Sequence, residues 1–127
     1  MDFNNFLDLK SNLKQIKLPG DKAHLLIAPP GRFKKIKEYF KNFSNPKKAS
    51  VLIHIYPDEN KKAKFILIRR NIYKGIHSGQ ISLPGGKFQL IDSTNWNTAL
   101  REASEEVGLI KDSVLKIKQL TKVFIPP

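Results

Sequence analysis

Residues 83–109, LPGGKFQLIDSTNWNTALREASEEVGL, constrain this chain more than any other stretch. They join a paired-glycine turn to a polar capping segment, and that segment to a helical pattern that crowds carboxylates onto one side. Glu102, Glu105 and Glu106 stand at i, i+3 and i+4, which makes them neighbours on a helical surface. Like charges at that spacing oppose helix formation unless a positive group sits among them. Arg101 reaches Glu105 at i+4 but cannot neutralise all three. Oxygen-rich clusters of this kind suit hard divalent cations such as Mg²⁺, which commonly bind phosphate groups as well. The expected chemistry is metal-assisted and acts on a phosphorylated substrate.

At about 100° per residue, Trp96, Ala99, Leu100, Ala103 and Val107 share one face of a helix over 96–107. The three glutamates fall on the opposite side, within an arc of about 100°. Asp92, Ser93, Thr94 and Asn95 are N-cap candidates, and Gly108 suits the stop after the last turn. One face thus anchors in a core while the other presents carboxylates. For an isolated E-x-x-E-E the plainer reading is a solvated acidic face. The Pro84-Gly85-Gly86 turn argues against it, because such a backbone approaches a ligand closely and leaves amides and carbonyls free for phosphate or metal.

The rest of the composition mainly excludes. No apolar run approaches the ~20 residues that span a bilayer, so no membrane partner is expected. The N-terminus MDFNNFLDLKSNLKQ lacks the basic and apolar regions of a signal peptide. Zero cysteines remove disulfides, thiolate catalysis and Cys-ligated zinc together, and fit a reducing cytoplasm. The net charge of +12 favours a phosphate-rich partner. Lysine is nevertheless spread over several segments instead of forming an arginine-rich stripe, which reads as a lysine-biased composition.

Along the chain, Phe3, Phe6, Leu7, Leu9 and Leu13 suggest a first helix over 3–15, ended by Pro19-Gly20. Pro29-Pro30-Gly31 marks a loop. Phe33, Ile36, Phe40 and Phe43 recur at helical spacing with Lys34, Lys35, Lys37 and Lys41 around them, so a basic amphipathic helix is expected to pack its stripe on its own domain. Residues 44–48 read as a connector. Residues 49–56 (ASVLIHIY) and 63–69 (AKFILIR) form a β-hairpin pattern, and their near-continuous apolarity predicts strands covered on both faces. His54 reads as a packed or edge histidine. Residues 75–86 are turn-rich with short extended pieces, and 114–125 alternate enough to predict a strand or two.

Taken together, the glycine turn, capping loop and acidic helix resemble the Nudix hydrolase signature, G-x5-E-x7-R-E-U-x-E-E-x-G-U with U aliphatic. Gly86 opens it, and Arg101-Glu102-Ala103-Ser104-Glu105-Glu106-Val107-Gly108-Leu109 closes it. Asp92 replaces the first glutamate, and eight residues instead of seven separate it from Arg101. Both departures resemble the coenzyme A pyrophosphatase branch, which also carries T-x-R-(S/A)-x3-R-x3-G-x3-F-P-G-G upstream. Arg70, Gly79 and Pro84-Gly85-Gly86 match that motif; Ile68, Asn71, Gly75 and Leu83 depart from it, with Lys74 beside the arginine position that Gly75 occupies.

The resemblance implies an α/β fold, a Nudix-type α/β/α sandwich with a mixed sheet, over 49–127 and preceded by a helical extension over 1–48. Relatives continue past Ile125 with more strand and a closing helix, so the domain is expected to be incomplete at its C-terminal end. It implies Mg²⁺ or Mn²⁺ held by Glu102, Glu105, Glu106 and the Gly86 carbonyl, with Glu105 or Glu106 as general base and Arg101 orienting a carboxylate. Asp92 is read as a structural partner of Arg101. Arg69, Arg70, Lys74, His77 and Lys87 are the candidate substrate contacts. The implied reaction is cleavage of the pyrophosphate of coenzyme A or a related nucleoside diphosphate derivative. A second copy of the chain is a candidate partner. Two other readings stand beside this one: an inactive fragment serving as a nucleotide-binding or scaffold module, and, last, RNA binding through the basic helix.

Overall fold

The computed structural model describes residues 1–42, 46–72, 74 and 78–125. Expectations that fall on Phe43, Gly75 and His77, and on residues 44–45 of the connector, lie outside these. So do those on the side chains of Phe33 and Phe40. The elements are α1 (Phe3–Gln15), α2 (Asp21–Ile27), α3 (Arg32–Asn42), β1 (Ala49–Val51), β2 (Ile55–Pro57), β3 (Ala63–Phe65), β4 (Ile68–Arg69), β5 (Ile81–Ser82), β6 (Gly85–Lys87) and α4 (Asn95–Val107). Two short 3-10 turns, Leu90–Asp92 and Lys111–Ser113, flank α4. The fold is α/β, and among the described residues the three strand pairings are antiparallel. The chain divides into two compact units, one of Met1–Asp8 with Lys47–Leu115, the other of Leu9–Pro46 with Lys116–Pro127.

The first unit is built on a hairpin that forks. β2 and β3 pair with Ile55 opposite Phe65. At their connecting turn, Asp58 accepts the Asn60 and Lys62 amides at 3.0 and 2.8 Å. Beyond Ile66, whose amide donates to the His54 carbonyl at 3.3 Å, the two arms part. One arm, β1, pairs with β6, and the other, β4, pairs with β5. Because both pairings are antiparallel, residues 81–87 enter along one arm and leave along the other, reversing at Leu83-Pro84. Pro84 is fully buried at this reversal, and its carbonyl accepts the Leu52 amide at 2.8 Å. Proline suits the place because its fixed φ costs nothing at a turn. Gly85 must follow: any Cβ there would run into the Ser50 carbonyl and stand 2.6 Å from Val51 Cα.

Helix α4 packs on β1 and β6. Thr94 caps its start, its hydroxyl accepting the Asn97 amide at 3.1 Å, and Gly108 at φ 69 ends it by turning its amide onto the Ala103 and Ser104 carbonyls. Ala99 and Ala103 meet Leu52 in the core, with Trp96, Leu100, Val107 and Leu109 packed around them. This is the apolar face read from the sequence. Two alanines at i and i+4 let the helix axis come close to the segment after β1 that carries Leu52.

The expectation of strands covered on both faces is corrected. Leu52 is 6% exposed, but Val51 and Ile53 beside it are 59% and 47% exposed, as are Phe65 at 56% and Leu67 at 50%. α4 covers one face of the pleat, and the described residues of this unit leave the apolar side chains on the other face exposed. His54 behaves as a packed histidine: its ring stacks on Tyr56 with centroids 5.9 Å apart, and burial lowers its pKa.

α1, which enters the second unit at Leu9, and α3 fall where the periodicity puts them, and Lys34, Lys35, Lys37 and Lys41 are exposed around a half-buried Ile36. The short α2 was not foreseen, because two proline-glycine turns bracket it too closely for a period to show. Lys118 donates its Nζ to the carbonyls of Leu13, Lys14 and Ile16 at 3.2, 2.7 and 2.6 Å, satisfying groups left over at the end of α1. The strand expected over 114–125 is also corrected: the described residues there form none. Alternation alone does not make a strand, which needs its backbone groups paired along a neighbouring edge.

Leu52 is the large side chain that holds α4 to the fork. Leu52→Ala should lower the stability of the first unit by about 2–5 kcal/mol, read as a shifted urea midpoint with an unchanged m-value. A loss under about 0.5 kcal/mol would contradict this core.

Candidate active site

The junction between the glycine turn and α4 is organised around one buried carboxylate. Asp92 is 3% exposed. Its Oδ2 accepts the Gln89 amide at 2.9 Å, half of a capping box that shapes the 3-10 turn. Its backbone carbonyl accepts the Thr94 amide at 2.6 Å, and Ser93 between them adopts φ 59. Arg101, nine residues on, reaches back with Nε 2.8 Å from Oδ1 and Nη2 3.2 Å from Oδ2. This two-bonded pairing is the strong form of the interaction. The Arg101 guanidinium holds the Asp92 carboxyl well below the usual carboxylate range, against the opposing effect of burial. The Asp92 hydrogen bond likewise raises Arg101 above its ordinary value.

The rest of that guanidinium is turned on the acidic face of α4. Nη1 donates to both carboxylate oxygens of Glu105, at 3.3 and 3.2 Å. Nη2 lies 2.9 Å from Glu102 Oε1 and also donates to the Lys87 carbonyl at 3.0 Å. Arg101 therefore ties α4 to β6 as well as to the 3-10 turn. Glu106, out of its reach, accepts the Gly85 amide at 2.8 Å through Oε2. Gly86 is the floor of the site: a Cβ on it would overlap the Glu102 carboxylate. Each glutamate of the i, i+3, i+4 set thus has its own compensation, which is how α4 tolerates three like charges on one side.

The structure brings together Arg101, Glu102, Glu105, Glu106, Gly86 and Lys87. Lys87 is joined to Arg101 through its backbone carbonyl, while its side chain is exposed. Arg69 and Arg70 belong to the other arm of the fork. Arg69 pairs with Ile81, and Arg70 donates Nε to Ser82 Oγ at 3.3 Å and its amide to the Gln80 carbonyl at 3.0 Å. Lys74 is exposed, and His77 lies outside the described residues. Sequence reasoning missed the Gly85 amide as the partner of Glu106 and the Gln89 amide as a partner of Asp92. Both are backbone groups, and only the fold places them.

The donor set, three carboxylates and a glycine carbonyl, fits a hard divalent cation in kind. Among the described residues no three carboxylate or imidazole groups converge on one point, since Arg101 and the Gly85 amide each hold carboxylates apart.

The profile described as NUDIX domain matches residues 46–126, and the chain belongs to that family. It is 45% identical over 64 residues to Nudix hydrolase 22, chloroplastic, of Arabidopsis thaliana, covering 50% of this chain and 21% of that protein. It is 39% identical over 77 residues to the Uncharacterized Nudix hydrolase NudL of Yersinia enterocolitica, covering 61% and 38%. Over 66 residues it is 38% identical to the Mitochondrial coenzyme A diphosphatase NUDT8 of Mus musculus, covering 52% and 31%. The matched stretch thus spans between 21% and 38% of these relatives' own length.

A depressed aspartate stabilises the fold above its ordinary pKa of 3.8, and that stabilisation is lost as the pH falls towards the depressed value. Asp92→Asn should therefore melt below the parent chain by a steady margin between about pH 5 and 7. The margin should begin to narrow as the pH falls below 3.8, where the unfolded chain takes up the proton, and close only as the pH approaches the depressed value of the folded state. Coincident melts at neutral pH would show that the pair contributes nothing.

Proposed function

We propose that this chain is a metal-dependent Nudix pyrophosphatase, with coenzyme A or a closely related nucleoside diphosphate derivative as substrate. The observation that carries the reading is the lodging of Glu102 and Glu106 against the Gly85-Gly86 backbone, which puts a carboxylate-rich helix face directly on the glycine turn. Glu102, Glu105, Glu106 and the Gly86 carbonyl would hold Mg²⁺ or Mn²⁺. When bound, such a cation supplies charge neutralisation and activation of water at the phosphoryl group. Arg101 keeps two of the carboxylates oriented, and the Gly85 amide keeps the third. Glu105 is 57% exposed in its side chain, and it or Glu106 is the candidate base for the attacking water.

Coenzyme A is supported by the name of the mouse relative and by the insertion before Arg101 with Asp92. Arg69, Arg70, Lys74, His77 and Lys87 remain the proposed phosphate contacts, and the chain's net charge of +12 would draw in a polyanionic substrate. No helix among the described residues is long and apolar enough to cross a membrane. The cysteine-free composition keeps the cytoplasm as the proposed compartment, while the organellar names belong to the relatives.

A panel of coenzyme A, ADP-ribose and dinucleotides, each with Mg²⁺ or Mn²⁺, tests the reading. Coenzyme A should yield 3′,5′-ADP and 4′-phosphopantetheine. Glu105→Gln and Glu106→Gln should each lower kcat at least ~100-fold with an unchanged circular dichroism spectrum. Full activity in both variants would remove the assignment, and equal turnover of all substrates would remove the preference for coenzyme A. The second reading, a nucleotide-binding or scaffold module, is favoured by the exposed apolar strand face of Val51, Ile53, Phe65 and Leu67. It expects binding of these nucleotides without turnover.

A further inference from the structure

Arg69 and Arg70 are adjacent in the chain, and the fold treats them differently. Successive side chains of an extended segment point to opposite faces, and half-buried and exposed residues alternate without a break from Ile66 to Arg70. Arg69 falls on the exposed face with Leu67, which is 50% exposed, and its strand partner Ile81 is 62% exposed there. Arg70 is half-buried on the other face, together with Ile68 and Ser82, which stand opposite each other in the β4–β5 ladder. The Arg70 amide donates to the Gln80 carbonyl at 3.0 Å, which puts Ser82 diagonally across the ladder from it. Over that diagonal, Ser82 Oγ accepts Arg70 Nε at 3.3 Å.

A guanidinium held at Nε keeps four further N–H donors at its far end. Among the described residues no carboxylate stands within ion-pair distance of Arg70, whereas Asp92, Glu102 and Glu105 all surround Arg101. A partly buried charge favours an anionic partner, and the planar fork of arginine matches phosphate. Ser82 also ties this cation to the glycine turn, since it ends β5 three residues before Gly85. Arg70, Ser82, the turn and α4 belong to one compact unit.

We infer that Arg70 is the principal phosphate-binding arginine of the pair and that Ser82 is its positioning residue. The Ser82 hydroxyl fixes the guanidinium plane through Nε and leaves the terminal nitrogens for a substrate phosphate. Ser82 itself touches no substrate. The inference rests on the nucleotide substrate proposed above, but not on its hydrolysis.

The probe is 3′,5′-ADP with Mg²⁺, which carries phosphates but no pyrophosphate to cleave, and titration calorimetry reads its dissociation constant. Arg70→Gln should weaken binding about tenfold or more, and Arg69→Gln should weaken it less. Ser82→Ala should cost about three- to tenfold. Ser82→Thr keeps the hydroxyl on a side chain suited to a strand and should restore most of the affinity. In the Arg70→Gln background Ser82→Ala should cost nothing further, because its partner is already gone. With coenzyme A as substrate, Ser82→Ala should raise KM at unchanged kcat.

Equal losses from Ser82→Ala in both backgrounds would reduce Ser82 to a structural part of the strand and overturn the inference. Equal losses in Arg69→Gln and Arg70→Gln, or a parent chain that does not bind 3′,5′-ADP, would overturn it as well. If the expected binding pattern holds while the parent hydrolyses no coenzyme A, the proposed pyrophosphatase falls and the inference stands. If the parent hydrolyses coenzyme A and Arg70→Gln leaves KM unchanged, the inference falls and the proposed function stands.

Discussion

The Asp92–Arg101 pair is the interaction on which the rest of this site depends. A guanidinium has five N–H donors in a rigid plane, and here they are divided among Asp92, Glu102, Glu105 and the Lys87 carbonyl. Asp92 fixes the plane from the buried side, so the remaining donors emerge at defined places beneath the acidic face. A lysine would not do this, because a single ammonium cannot span four acceptors in one plane. The pair also couples three elements at once: the 3-10 turn, α4 and β6. Loosening it would let the helix face drift from the glycine turn.

The forked hairpin supplies the other half of the arrangement. Two arms diverging from β2 and β3 create a gap, and residues 81–87 fill it by reversing at Leu83-Pro84. The reversal delivers Gly85 and Gly86 as backbone with no side chains, against which α4 lays Glu102 and Glu106. Gly85 is required by its closeness to Ser50 and Val51, and Gly86 by its closeness to Glu102. The same dipeptide thus serves the packing of the fork and the geometry of the site.

How much of this the sequence discloses follows from the range of each interaction. The faces of α4, its caps at Thr94 and Gly108, and the extents of α1 and α3 all rest on contacts within a few residues, and they read directly. The link from Asp92 to Arg101 was legible because a family pattern keeps both in view. The pairing of β1 with β6 and β4 with β5 was not, since 49–56 and 63–69 look like two uninterrupted strands until another segment enters between their arms. Exposure of Val51, Ile53, Phe65 and Leu67 was misread for a related reason: apolar runs report what a strand is able to bury, and the covering element is a fact of the fold. Residues 114–125 carry alternation, yet the described residues there form no strand.

A double-mutant cycle on Asp92→Ala and Arg101→Ala, read as the dissociation constant of Mn²⁺ by water-proton relaxation, tests the organising role of the pair most directly. Each single substitution is expected to weaken Mn²⁺ binding, and the double variant to be no weaker than the worse single one, because the second change removes a partner already lost. Losses that multiply in the double variant would contradict the account, since they would mean that Asp92 and Arg101 act on the carboxylate face independently.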